Sequence, residues 1–195
     1  MTPAVFLDRD GTMIHDPGYL SRREDLRWFP WTIDAVRLLG RAGYRVFVVT
    51  NQGGVGLGLY PESFVQALHA DMDETIRAAG GAVAGWYHCP HHPDAVIPAL
   101  RIDCECRKPR PGMVRQAAHD HGPLDLARSF VVGDKFGDVG LAAAIGARGV
   151  IVRSGHGEAE VARHRDALPA GTHVAATLAD ATAWILRETP FEDEP

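Results

Sequence analysis

Val5-Phe6-Leu7-Asp8-Arg9-Asp10-Gly11-Thr12 sets three apolar residues directly against two carboxylates. An apolar run that ends abruptly in charge fits a short strand buried on both faces, as strands of parallel sheets are. Side chains alternate along extended chain, so carboxylates two residues apart point to the same side where the strand leaves the sheet. Gly11 then allows a sharp departure of the backbone.

Working outward, Arg45-Val46-Phe47-Val48-Val49-Thr50 is a stronger run of the same kind, rich in β-branched residues. Trp86-Tyr87-His88, Phe130-Val131-Val132 and Val150-Ile151-Val152 resemble it. Helical patterns fall between these runs. Ile33, Val36, Leu38 and Leu39 give one apolar stripe. Phe64, Val65, Leu68, Met72 and Ile76 give a clearer one after Pro61, a residue suited to a first helical turn. Further helices are expected from about Pro111, from about Gly137 and over roughly Leu178 to Arg187. Alternating strands and helices predict an α/β, doubly wound (Rossmann-like), mainly parallel sheet with helices on both faces. In such folds ligands sit beyond the carboxyl ends of the strands.

Two more strand ends carry polar groups. Thr50-Asn51-Gln52 follows the strongest strand, and Gly133-Asp134-Lys135-Phe136-Gly137-Asp138 follows Phe130-Val131-Val132. Asp134 and Asp138 are four apart, a spacing that can share one helix face. Any one of these motifs alone is ordinarily a helix cap or a turn. Three of them at three strand ends point to a common site.

The chain has 195 residues, enough for one domain with a buried core. A composition 46% hydrophobic and 23% charged is that of an ordinary globular protein. Its net charge of -5 argues against a general nucleic-acid binder. No stretch is long and apolar enough to span a bilayer, and the N-terminus lacks the pattern of a signal peptide. The expectation is a cytoplasmic monomer without nucleic-acid or membrane partners. The domain is expected to span residues 1–188, with a flexible acidic tail over 189–195.

All three cysteines fall between Cys89 and Cys106. Cys89-Pro90-His91 and Cys104-Glu105-Cys106 are two x-separated pairs. Three sulfurs and one imidazole complete a closed tetrahedral Zn2+ site, with no position left for water. A disulfide or simply buried thiols are the alternatives. His88 and His92 flank the pairs without sharing their spacing.

Asp-x-Asp-Gly-Thr at a strand end, followed in order by Thr50, Lys108 and Asp134, resembles the haloacid dehalogenase superfamily of phosphohydrolases. The matching positions run from Asp8 to Asp138. This resemblance implies that Asp8 is the nucleophile, forming an aspartyl-phosphate, and that Asp10 is the general acid and base. It implies Mg2+ held by Asp8, the backbone carbonyl of Asp10, and Asp134, with Asp138 as support rather than ligand. Thr50 and Lys108 would bind the phosphoryl oxygens.

Cys89-Pro90-His91-His92-Pro93 and Cys104-Glu105-Cys106-Arg107-Lys108-Pro109-Arg110-Pro111-Gly112-Met113 are similar to the zinc-containing phosphatases of D-glycero-D-manno-heptose 1,7-bisphosphate. Histidinol-phosphate phosphatases share much of the pattern. That resemblance implies a phosphorylated sugar substrate within heptose biosynthesis. It adds Asp16, Gly18, Tyr19, Asn51, Gln52, Arg107 and Lys135 as substrate-binding residues, and a zinc loop over about 88–108 that holds Arg107 and Lys108 in place. The gaps between motifs leave no room for a large cap domain. Gly53 and Leu57 stand where those enzymes carry serine and arginine, which removes a donor and a cation from the expected pocket rim. The glycines at 53, 54, 56 and 58 do not give the G-x-G-x-x-G spacing of a dinucleotide site. A zinc-bearing binding protein without catalysis is the reading from another class, and the intact Asp8, Asp10, Lys108 and Asp134 argue against it.

Overall fold

In the computed structural model, which describes residues 1–189, six strands form one sheet. They are β1 (Ala4–Leu7), β2 (Arg45–Asn51), β3 (Gly85–Cys89), β4 (Phe130–Gly133), β5 (Arg148–Val152) and β6 (His173–Ala175). The order across the sheet is β3-β2-β1-β4-β5-β6, and every pairing is parallel. Six helices connect or flank them: α1 (Thr32–Arg41), α2 (Glu62–Ala78), α3 (Gly112–His121), α4 (Phe136–Ile145), α5 (Gly157–Arg163) and α6 (Leu178–Glu188).

The period-two alternation of the strands splits the core into two layers. Val5 and Leu7 of β1 join Val46, Val48, Val132, Val150 and Val152 on one face, under α1, α2 and α6. Ala4 and Phe6 point the other way, with Phe47, Val49 and Val131, under α3 and α4. Phe6 and Phe47 stack at 5.4 Å between ring centroids on that second face. All four side chains of β1 are fully buried, which is why its sequence reads as a continuous apolar run. Truncating Leu7 to alanine would leave a cavity between the sheet and its helices, a change that typically costs about 2–5 kcal/mol.

The chain winds outward from β1 to β3 and then returns to β4 on the other side of β1. The crevice for ligand therefore opens above the carboxyl ends of β1 and β4, where the winding reverses. Asp8 follows β1, and Asp134 follows β4.

Three details differ from expectation. β6 and α5 carry no clear sequence signal, being three and seven residues long. Asp134 and Asp138 do not share a helix face: Asp134 lies in the turn before α4, and Asp138 is in its first turn. The Asp138 carboxylate accepts from the Lys135 backbone N–H at 3.0 Å and so ends the turn that begins the helix. Thr189 is anchored, its hydroxyl donating to the Ile185 carbonyl at 2.8 Å. The remaining residues of the expected tail, 190–195, lie outside the described residues.

Candidate active site and metal-donor cluster

The strand ends build a nook lined by Asp8, Asp10, Thr50, Asn51, Lys108, Lys135, Gly137 and Asp138. Lys108 is its central cation. Its Nζ lies 2.9 Å from Asp8 Oδ1 and 2.6 Å from Asp138 Oδ1, and donates to the Val49 carbonyl at 2.7 Å. Burial alone would lower the Lys108 pKa, but Asp138 and Asp8 outweigh it and hold the ammonium above its ordinary value. Asp8 Oδ1 also accepts from the Arg9 backbone N–H at 2.8 Å.

Asp134 is fully buried. Its Oδ2 accepts from the His156 backbone N–H at 2.8 Å, while Oδ1 has no hydrogen-bond partner. Burial first, and Asp8 next, push the Asp134 carboxyl up to about 8. A buried carboxylate oxygen without a donor is costly unless a cation meets it. Donor oxygens of Asp8, Asp134 and Asp138 lie within 4.8 Å of one another, a hard-oxygen set suited to Mg2+. Neither Asp134 Oδ1 nor Asp138 Oδ1 has a partner in hydrogen-bond geometry, but Asp138 Oδ1 lies 2.6 Å from the Lys108 ammonium, so the oxygen that meets no cation belongs to Asp134. Backbone packs tightly around that carboxylate. A Cβ on Gly11, whose φ is +79°, would lie 2.0 Å from Asp134 Oδ2, and one on Gly155 would lie 2.3 Å away.

Beside the nook opens a cavity of about 330 Å³. Asp10, Asp16, Gly18, Tyr19, Asn51, Gln52, Arg107 and Lys135 all line it, as do Arg9, Gly53, Tyr60, His92 and His156. Several of these groups brace one another. Asp16 accepts from the Gly18 N–H at 2.7 Å and lies 3.1 Å from both Lys135 Nζ and His156 Nε2. Asn51 clamps the Lys108 backbone, accepting from its N–H at 3.0 Å and donating to its carbonyl at 3.3 Å. Gln52 Nε2 donates to Asp10 Oδ2 at 2.7 Å and Thr50 Oγ1 at 2.9 Å, and Gln52 Oε1 accepts from Tyr60 at 3.1 Å. Leu57 is not among the lining residues, whereas Gly53 is. The rim position lost to leucine in the sequence comparison therefore falls outside this cavity. A larger hollow of about 480 Å³ lies among Pro93, Arg101, Ile102 and Arg110, but its one acid, Asp103, is exposed and paired with Arg110.

The sequence reading missed Arg9, Tyr60, His92 and His156. Arg9 lies between Asp8 and Asp10, but its position gives no sign that its guanidinium is buried. Nothing local marks the other three, which arrive from separate loops.

Cys89, His91, Cys104 and Cys106 form the second cluster, their donor atoms all within 4.8 Å of one another. Cys89 Sγ lies 3.0 Å from Cys106 Sγ and 3.5 Å from Cys104 Sγ, and His91 Nδ1 lies 3.1 Å from Cys106 Sγ. The cysteines are free, and these separations far exceed a disulfide bond of about 2.05 Å. They approach the edges of a tetrahedron with metal–sulfur bonds of about 2.3 Å. His88 and His92 stand apart: His88 Nε2 is 2.8 Å from Glu62, and His92 Nδ1 accepts from the Asp94 N–H at 3.1 Å. Arg107 Nη1 donates to the carbonyl of His91 at 3.0 Å, tying the pocket wall to this cluster.

The HAD-hydrolase-like family model matches residues 105–181. A D-glycero-beta-D-manno-heptose-1,7-bisphosphate 7-phosphatase of Rhodopseudomonas palustris is 44% identical over 147 residues, covering 75% of this chain and 81% of the relative. The chain belongs to the haloacid dehalogenase-like phosphatases. A relative of the same name from Escherichia coli is 40% identical over 155 residues, covering 78% of this chain and 80% of its own. The solved D,D-heptose 1,7-bisphosphate phosphatase of B. bronchiseptica, complexed with magnesium and phosphate, superposes with a TM-score of 0.84 at 33% identity, covering 95% of this chain and 99% of that one. Within this phosphatase family, the present fold has a six-stranded parallel sheet and no large cap among the described residues.

Proposed function

We propose that this phosphatase hydrolyses the 7-phosphate of D-glycero-D-manno-heptose 1,7-bisphosphate through an aspartyl-phosphate at Asp8. The observation that carries the chemistry is Asp8 at the switch point, held by Lys108 at 2.9 Å beside the open oxygen of Asp134. The substrate follows from the relatives at 40–44% identity that bear this name. Residues 1–188 are taken as one catalytic domain, acting as a cytoplasmic monomer.

Asp8 Oδ1 is engaged by Lys108 and the Arg9 N–H, which leaves Oδ2 to attack phosphorus. A bond forms from Oδ2 to phosphorus as the bond to the sugar C7 oxygen breaks. Asp10 gives its proton to that departing oxygen. It then takes a proton from the water that attacks phosphorus, and inorganic phosphate leaves as Asp8 is restored. Thr50 and Lys108 bind phosphoryl oxygens, and Lys108 compensates their charge. Mg2+, held by Asp8, the Asp10 carbonyl and Asp134, supplies charge neutralisation between two anionic reactants. Arg107 and Lys135 meet the second phosphate across the cavity, while Asp16, Gly18, Tyr19, Asn51 and Gln52 shape its walls. Zn2+ held by Cys89, His91, Cys104 and Cys106 fixes the loop that presents Arg107 and Lys108.

The test is phosphate release, with added Mg2+, from both anomers of the heptose bisphosphate, from histidinol phosphate and from other sugar phosphates, with phosphorus NMR to locate the phosphate removed. The expected result is loss of the 7-phosphate from the heptose and no turnover by Asp8→Asn. Preference for histidinol phosphate would overturn the substrate, and release by Asp8→Asn at the parent rate would overturn the mechanism.

A further inference from the structure

Arg9 lies between the two aspartates of the site, yet its guanidinium is almost wholly inside the protein, 1% exposed. Burying a guanidinium requires that its N–H groups be met. Four of its contacts are resolved. Nη2 donates to Asp10 Oδ1 at 3.0 Å and Oδ2 at 2.9 Å, and Nε donates to Oδ1 at 3.2 Å. Nη1 meets His69 Nε2 at 3.2 Å, and His69 is not among the residues that line the cavity.

His69 is on α2, sixty residues from Arg9, and has no contact with the nook. Its ring is 5% exposed and packs at 5.0 Å on Trp86, with His88 edge-on at 5.7 Å. The Trp86 indole N–H in turn donates to Asp73 at 3.1 Å. The imidazole is therefore held on a fixed platform. Guanidinium can only donate, so Nε2 must be the unprotonated, accepting nitrogen, and the ring is neutral with its proton on Nδ1.

We propose that His69 is a positioning residue for Asp10, acting through Arg9: by accepting from Nη1 it fixes the guanidinium whose opposite edge grips the Asp10 carboxylate. This inference rests on the assignment of Asp10 as the proton carrier. Asp10 serves two half-reactions and must present its carboxyl along the same line to a leaving oxygen and then to water. A carboxylate held by a forked donor on one side and by Gln52 on the other has one orientation rather than several. Without an acceptor at position 69, Nη1 is a buried donor without a partner. The guanidinium then turns to find one, and the Asp10 carboxyl loses its fixed side.

The experiment compares His69→Leu, which has no acceptor, with His69→Gln, whose amide oxygen can accept from Nη1, in the parent and in an Arg9→Lys background. All are assayed as full-length protein by phosphate release and by circular dichroism. His69→Leu should lower kcat about tenfold with KM nearly unchanged, as loss of an interaction used in the transition state does. His69→Gln should retain kcat to within about threefold. In the Arg9→Lys background the two substitutions at 69 should give equal kcat, since the lysine cannot fork between Asp10 and position 69. Equal losses for Leu and Gln in the parent would assign His69 to packing and overturn the proposal, as would a folded His69→Leu with native kcat. If His69→Leu does not fold, His69→Gln at parent kcat with Arg9→Lys impaired supports the proposal, and Arg9→Lys at parent kcat overturns it. Asp10→Asn is run alongside: full activity there would sink the proton-carrier assignment itself, a separate failure.

Discussion

His69 gives a pH signature that can be measured without substrate. Burial first, then Arg9, then His88 push its pKa down from 6.5 to about 2. The unfolded chain carries an ordinary imidazole. As pH falls below 6.5 the unfolded state takes up a proton that the folded state refuses, so the stability this group contributes is present above the unfolded pKa and lost as pH falls toward the folded one. The charged and titratable groups around it are Arg9 from the β1 end, His88 with its partner Glu62, and Asp73 behind Trp86. Between about pH 7.5 and about pH 5 the linkage amounts to about 2 kcal/mol, and it grows by about 1.4 kcal/mol per further pH unit until the folded pKa is reached. In a chain of this size that is a melting shift of about 4–8 °C. The assay is urea unfolding at a series of pH values for the parent and for His69→Gln. Zinc release and every other titrating group contribute to both proteins, so the difference in their pH slopes isolates position 69. The parent should lose about 2 kcal/mol more than His69→Gln over that interval. Parallel slopes would refute the reasoning, because they would mean that His69 is free to protonate in the folded state.

Lys108→Met should unfold about 3–5 kcal/mol more easily, since it strands Asp8 and Asp138 as buried carboxylates, and added Mg2+ should recover more stability in the variant than in the parent; a melting temperature at the parent value counts against a charged Lys108. Cys106→Ser should cut zinc content from about one equivalent per chain to a small fraction and raise KM more than it lowers kcat, as read by elemental analysis and steady-state kinetics; parent protein purified without zinc would contradict the assignment. Gly53→Ser places a Cβ 2.8 Å from His92 Cδ2 and 3.4 Å from Arg107 Nη1, so it should raise KM for the bisphosphate about threefold or more, with His92→Ala restoring it in the double variant; unchanged KM would mean that this wall does not touch substrate.

Much of the fold could be read from the chain because its strands are buried on both faces. Continuous apolar runs marked β1, β2, β4 and β5, and β1, β2 and β4 each ended in a polar motif. β6 escaped because His173-Val174-Ala175 is only three residues long and sits at the sheet edge, and α5 because Gly157 to Arg163 is short, mostly exposed or half-buried, and carries no apolar stripe. The nook and the metal donors come from residues whose order along the chain is distinctive. The cavity walls are different. Tyr60, His92 and His156 come from three separate loops, and only the folded chain shows that they meet. The role read for Asn51 also changes its emphasis. Both ends of its amide hold the Lys108 backbone, a contact across 57 residues that no local pattern contains.

That contact explains why a cysteine cluster is useful to a phosphatase with no large cap among its described residues. Most site residues here are placed by the sheet: Asp8 by β1, Thr50 and Asn51 by β2, Asp134 by β4. Lys108 is the exception, delivered by the long connection between β3 and α3. A loop of that length would not ordinarily aim a buried ammonium at two carboxylates. It is fixed at both levels of structure. Cys106 ties the chain two residues upstream to Cys89, which pairs with Asn51 across the β2–β3 register. Asn51 then grips the Lys108 N–H and carbonyl from the neighbouring strand. The proposed zinc donors and the proposed catalytic cation thus hang from the same two strand ends, joined through the Cys89–Cys106 contact. Loss of metal should consequently loosen Arg107 first, because its anchor is the His91 carbonyl. Lys108, still clamped by Asn51 and paired with Asp8 and Asp138, should yield last. This order is why substrate affinity, rather than the rate of the bound complex, is the quantity that zinc removal should change.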